Sequence, residues 1–146
     1  MASPSQLTTL IDLARRETDD AAKRLGAALK AAEDCQQKLD MLSGYRDDYA
    51  ARFEASLAAG MTPMAYRNFQ AFMDKLENAI NGQQEVVRNA RRRGEQEKAV
   101  WQASERKRMS YTTLENRAQE EALKLEAKRD QKAMDEHAAR QAYYKR

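Results

Sequence analysis

From Leu57 to Tyr66 the chain reads LAAGMTPMAY. Gly60 can take the left-handed conformation that closes a helix, and Thr62 can cap the next helix with its hydroxyl. Pro63 falls at a first helical position, where a missing N–H forfeits no intrahelical bond. A turn is therefore expected at residues 59–62. Pro63 is one of only two prolines, the other being Pro4, and there are five glycines in 146 residues. With so little punctuation a β or α/β fold has nothing to turn its corners with. The segments on either side of the turn read as long helices.

Upstream, Ser3, Pro4 and Ser5 precede LTTLIDLARRE (7–17), with a hydroxyl available as N-cap and proline tolerated near a first turn. Spacings of four and three then alternate through Leu7, Ile11, Ala14, Thr18, Ala21, Leu25, Ala28, Ala32, Cys35, Leu39, Leu42, Arg46, Tyr49, Phe53 and Ser56. Twelve of these fifteen positions are apolar. Such a heptad stripe keeps one side of a slightly underwound helix facing a partner. Its middle is built of alanine, so the helices can approach closely there, while each residue buries little area.

Downstream, the stripe runs through Tyr66, Phe69, Met73, Leu76, Ile80, Gln83, Val87, Ala90 and Gly94 and turns polar near Glu97. It recovers at Trp101 and is read as shifting phase near Tyr111, Leu114, Ala118 and Leu125. No further breaker follows, so the second helix should hold about 80 residues, roughly 120 Å at 1.5 Å per residue. A short turn between heptad helices makes them antiparallel neighbours. The expectation is an all-α fold, one coiled-coil domain over residues 1–146. Helix one covers about 5–58, the turn about 59–62 and helix two about 63–143. If paired residue numbers add to about 121, Leu7 lies near Leu114. The segment beyond about 115, ENRAQEEALKLEAKRDQKAMDEHAARQAYYKR, then has no mate in the chain.

Composition agrees. Leu, Ile, Val and Phe supply only 20 residues, while Ala, Glu, Lys, Leu and Arg supply about half the chain and the net charge is +3. That balance belongs to long helices and coiled coils. The single cysteine, Cys35, allows no intramolecular disulfide and fits a reducing cytosol. No run of 18 apolar residues and no secretory leader is present, so a soluble, unexported chain is expected.

No catalytic, cofactor or metal arrangement is found: His137 is the only histidine, Cys35 lies on the stripe, and Gly-rich phosphate loops are absent. The chain reads as no enzyme. Arg88, Arg91, Arg92, Arg93, Lys98, Arg106, Lys107 and Arg108 form a basic run opposed locally by Glu95, Glu97 and Glu105. It reads as a solvated face or a contact for an acidic protein surface or anionic lipid. Nucleic acid ranks lower, since Trp101 is the one aromatic there and Asp19, Asp20, Glu33 and Asp34 on the partner helix should compensate the charge. The aromatics cluster around the turn: Tyr45, Tyr49, Phe53, Tyr66, Phe69 and Phe72. On the expected register Tyr49 faces Phe72, Tyr45 faces Leu76 and Leu42 faces Ala79. This is either a thick core at the turn or an exposed apolar patch for a partner. Self-association as a structural coiled coil and a basic rod that binds nucleic acid stay open as rivals.

Several segments together resemble the flagellar FliJ family of the type III export apparatus. They are DLARRETDDAAKRLG (12–26), QQKLDMLSGYRDDY (36–49), NFQAFMDKLENAI (68–80), Trp101 and KRDQKAMDEHAAR (128–140). The resemblance implies a soluble antiparallel coiled coil similar to the central stalk of rotary ATPases. It implies a non-enzymatic adaptor and chaperone that binds the export ATPase FliI, promotes assembly of its hexamer ring, and links it to the cytoplasmic region of the export gate protein FlhA. Export chaperones are further partners; nucleic acid and direct membrane insertion are not implied. The protein would be cytoplasmic, at the inner face of the inner membrane. The family's gate surface falls here on Leu42, Tyr45, Tyr49, Phe72, Leu76 and Ala79, with Lys38 and Gln83 standing where Gln and His are expected at its ends. The ATPase contact falls on the paired termini, including Asp130, Gln131, Lys132, Met134, Asp135 and Glu136. An injectisome stalk protein of the same fold is the alternative within this reading.

Overall fold

The computed structural model describes residues 4–145, with side chains from residue 5. Helix α1 spans Pro4–Ala59 and helix α2 spans Pro63–Tyr144, and among the described residues there is no strand. Ser3, the hydroxyl that could cap α1, lies outside the described residues. The turn is built as its residues dictate. Gly60 has φ 99° and is the only described residue with positive φ; its N–H donates to the Leu57 carbonyl at 3.2 Å. The Thr62 hydroxyl accepts the Ala65 N–H at 3.2 Å, which satisfies one of the donors left open at a helix start.

The chain divides into two compact units. One is Asp19–Gln102, which contains the turn; the other joins the stretch up to Thr18 with the chain from Ala103 onward. Within the first, α1 and α2 run antiparallel: Tyr49 stacks on Phe72 and Arg24 pairs with Glu97, residue numbers adding to 121 in both cases. Ala21, Ala28, Leu76, Ile80 and Val87 are buried. Gly94 is buried too, and a Cβ added there would meet Leu29 Cδ2 at 3.5 Å. Gln83 sits half-buried on the stripe, where its side-chain amide donates to the Cys35 carbonyl at 2.9 Å.

Within the second unit Ile11, Ala14 and Thr18 are buried, and the Thr18 hydroxyl is satisfied by the Ala14 carbonyl at 2.8 Å. All fifteen stripe positions of α1 are buried or half-buried. On α2 the phase does not shift near Tyr111, contrary to the sequence reading. The half-buried residues continue through Trp101, Ser104, Arg108, Tyr111 and Glu115 at spacings of three and four. Helix geometry holds the stripe to the heptad even where polar residues occupy it, and following apolar residues alone led off it. Leu114 is accordingly 48% exposed, and Leu7 shares its hollow with Glu115, Ala118, Gln119 and Ala122 instead. From Asn116 to Lys145 every residue is exposed.

Candidate protein-docking site

In an antiparallel pair, residues one place before the stripe on either helix share a flank, and residues one place after it share the other. Tyr45, Asp48 and Arg52 precede Arg46, Tyr49 and Phe53, while Phe72 and Ala79 precede Met73 and Ile80. The structure brings the first flank together near the turn as a hollow of about 370 Å³ lined by Tyr45, Asp48, Tyr49, Arg52, Phe72 and Leu76. Four of the six expected gate residues line it. Leu42 is half-buried on the stripe and Ala79 is exposed, and neither lines the hollow.

The aromatic cluster divides into two roles. Tyr49, Phe53 and Phe69 are half-buried, with ring centroids 5.1 Å apart for Tyr49–Phe69 and 5.4 Å for Phe53–Phe69. Pairs of this kind contribute about 0.5–1.5 kcal/mol beyond their buried area. Phe72 leans on Tyr49 at 4.4 Å, yet it is 45% exposed, and Tyr45 is 56% exposed. Leu76 beneath them is buried. The patch thus has a packed floor and two rings open to solvent, with Asp48 and Arg52 as a polar rim. That rim went unremarked in the sequence, although both residues carry the same one-before-stripe offset as Phe72. At the patch ends, Lys38 is exposed, whereas Gln83 has its amide engaged across the stripe.

Asp130, Gln131, Lys132, Met134, Asp135 and Glu136 are all exposed on α2. Gln131 Nε2 donates to Asp135 Oδ1 at 2.9 Å, a bond within one helical turn.

The basic run is paired differently from expectation. Arg88 pairs with Glu85 and Arg108 with Glu105 along α2, Lys107 reaches Glu17 at 3.7 Å, and Arg91 donates to Gln36 at 2.7 Å. Asp19, Asp20, Glu33 and Asp34 are exposed, and among the described residues they form no ion pair with it. The hydrogen bond from Arg108 holds the Glu105 carboxyl below its ordinary value, aided by charge attraction and opposed by desolvation. His137 is exposed, and among the described residues no group of three or more His, Cys, Asp or Glu gathers as metal ligands. No described helix is long and apolar enough to cross a membrane.

A family profile described as "Flagellar FliJ protein" matches residues 3–146. The chain belongs to the flagellar FliJ family. It is thereby a component of the flagellar protein-export system. The Flagellar FliJ protein of Escherichia coli (strain K12) is 32% identical over 145 residues, covering 99% of each chain. That of Salmonella typhi is 31% identical over 145 residues, again with 99% of each chain covered. Among solved structures, a YscO homolog from Chlamydia trachomatis superposes with a TM-score of 0.67 over 94% of this chain and 93% of that one. At 21% identity the likeness is one of fold, two long helices without strands among the described residues. The FliJ-family pattern therefore spans both units.

Proposed function

We propose that this FliJ-family chain is a non-enzymatic adaptor of flagellar export. It binds the hexameric export ATPase FliI through its paired termini, promotes assembly of that ring, and engages the cytoplasmic region of the gate protein FlhA through the Tyr45–Phe72 hollow. Export chaperones are further partners, and its place of work is the cytoplasmic face of the inner membrane. The observation that carries the reading is the pair of open rings, Phe72 at 45% and Tyr45 at 56% exposure, above a buried Leu76. Large apolar side chains left open on a packed floor are the anchors that protein interfaces use. A ring-bound hairpin can bias subunit conformations through differential contacts with them.

The test is Tyr45→Ala with Phe72→Ala, titrated calorimetrically against the FlhA cytoplasmic region. Affinity should fall at least about tenfold, since two interface aromatics commonly exceed 1.4 kcal/mol together. The circular dichroism spectrum should not change, because neither ring is buried. Undiminished affinity overturns the docking assignment. Leu76→Ala is a poor probe: removing a buried leucine costs about 2–5 kcal/mol of stability and confounds folding with binding.

A further inference from the structure

The other flank near the turn has its own apolar hollow, of about 390 Å³. Its floor is Ala50, Phe53, Leu57 and Met73, and the two charged residues beside it, Glu54 and Asp74, are both acidic. Leu57 is 45% exposed. The placement follows from the stripe: Ala50, Glu54 and Leu57 each come one residue after Tyr49, Phe53 and Ser56, and Asp74 comes one after Met73. Two helices can cover a stripe residue from the front only, so Phe53 and Met73 stay open on this side. A third helix laid in the groove would close them in the manner of helix-in-groove recognition.

Charge identifies the occupant. From residue 38 to residue 77, the one-after offset holds Asp40, Asp47, Glu54, Asp74 and Glu77 against Arg67 alone, five acids and one base. All six are exposed. The Phe72 flank over the same span holds Lys38, Arg52 and Lys75 against Asp48, three bases and one acid. The two flanks are therefore sorted to net −4 and net +2. Asp40 and Asp47 are engaged by Gln36 and Arg46. Among the described residues no cation reaches Glu54, Asp74 or Glu77. Charges flanking an apolar helical seam choose the partner by complementarity, and this rim repels anionic lipid and nucleic acid alike.

We infer that this second hollow is a docking groove for an amphipathic helix of a partner protein that carries Arg or Lys along the edges of its apolar stripe. Its occupancy is independent of whatever binds the Phe72 flank, and the inference stands apart from the adaptor reading. Met73 suits the role, because a flexible thioether repacks around different apolar side chains.

The test uses the full-length chain and two synthetic helical peptides that share one Leu and Ala heptad face, one edged with Arg and the other with Glu. Fluorescence anisotropy at physiological salt should show saturable binding of the Arg-edged peptide alone. Glu54→Lys with Asp74→Lys should weaken it at least about tenfold, as loss and reversal of two complementary pairs requires. Asp48→Lys on the other flank should leave it within about twofold. Leu57→Gln, uncharged and partly exposed, should also weaken it. All these sites are exposed, so circular dichroism should stay constant. Failure of the Arg-edged peptide to bind, equal binding of both peptides, or indifference to the Glu54 and Asp74 reversals overturns the proposal. So does self-association of the chain that Glu54→Lys abolishes, which would make a second copy the occupant.

Discussion

Phe72 and Leu76 stand one helical turn apart on α2, yet one is 45% exposed and the other is buried. The difference is a single step in phase: Leu76 lies on the stripe and Phe72 one place before the next stripe residue, Met73. The same sensitivity to position governs the glycines. Gly60 has φ 99°, where a Cβ collides with the following carbonyl, so Gly60→Ala should lose about 1–2 kcal/mol of stability. At Gly94 the added Cβ would meet Leu29 at an ordinary contact distance of 3.5 Å. Gly94→Ala should therefore gain up to about 1 kcal/mol from helix propensity. Urea unfolding of the two variants should thus move the midpoint in opposite directions. Glu105 offers a pH test. Its folded-state carboxyl titrates below the ordinary value because Arg108 donates to it. The stabilisation is present above the unfolded value and disappears as pH falls through the lower folded one. Glu105→Gln should accordingly melt below the parent chain at neutral pH, and the gap should close in acid; a gap independent of pH would contradict the pairing.

The two helices differ in how much of their length has a partner. Every stripe position of α1 is at least half-buried, although the middle is mostly alanine, each residue of which buries little area. On α2 the last half-buried residue is Glu115, and residues 116–145 are exposed throughout, Leu123 at 66% and Met134 at 68% among them. Such a stretch contributes helical signal with little tertiary stabilisation. Truncation after Ala122 should lower the helical circular dichroism roughly in proportion to the residues removed. The melting temperature should stay within about 2 °C, since a 1 kcal/mol loss moves the midpoint of a domain this size by about 2–8 °C. A larger fall would mean that the segment folds back onto the chain.

At the scale of the molecule, the turn and the termini belong to different compact units, and the proposed contacts divide the same way. Truncation after Ala122 should remove stimulation of FliI turnover while FlhA binding persists. Tyr45→Ala with Phe72→Ala should do the reverse. Turnover and pull-down measurements on the two variants settle whether the activities are separable. Loss of both in either variant would show that the units act as one.

Much of this was legible in the residues. Gly60, Thr62 and Pro63 marked the turn because each carries a local backbone requirement that needs no knowledge of the rest of the chain. The α1 stripe was legible because helical periodicity projects sequence directly onto a face. The phase of α2 beyond Trp101 was not, since polar Ser104, Arg108 and Glu115 occupy stripe positions and Leu114 points away from them. Which acids meet the basic run was equally hidden. Ion pairing depends on side-chain reach: Glu17 meets Lys107 across the two helices, while Glu85 and Glu105 meet Arg88 and Arg108 one turn away on α2 itself. Sequence periodicity could place six residues on or beside one flank. Only the packing of the two helices decided which rings became floor, which stayed open, and that a second, acidic-edged hollow opened behind them, because burial depends on what the neighbouring helix covers.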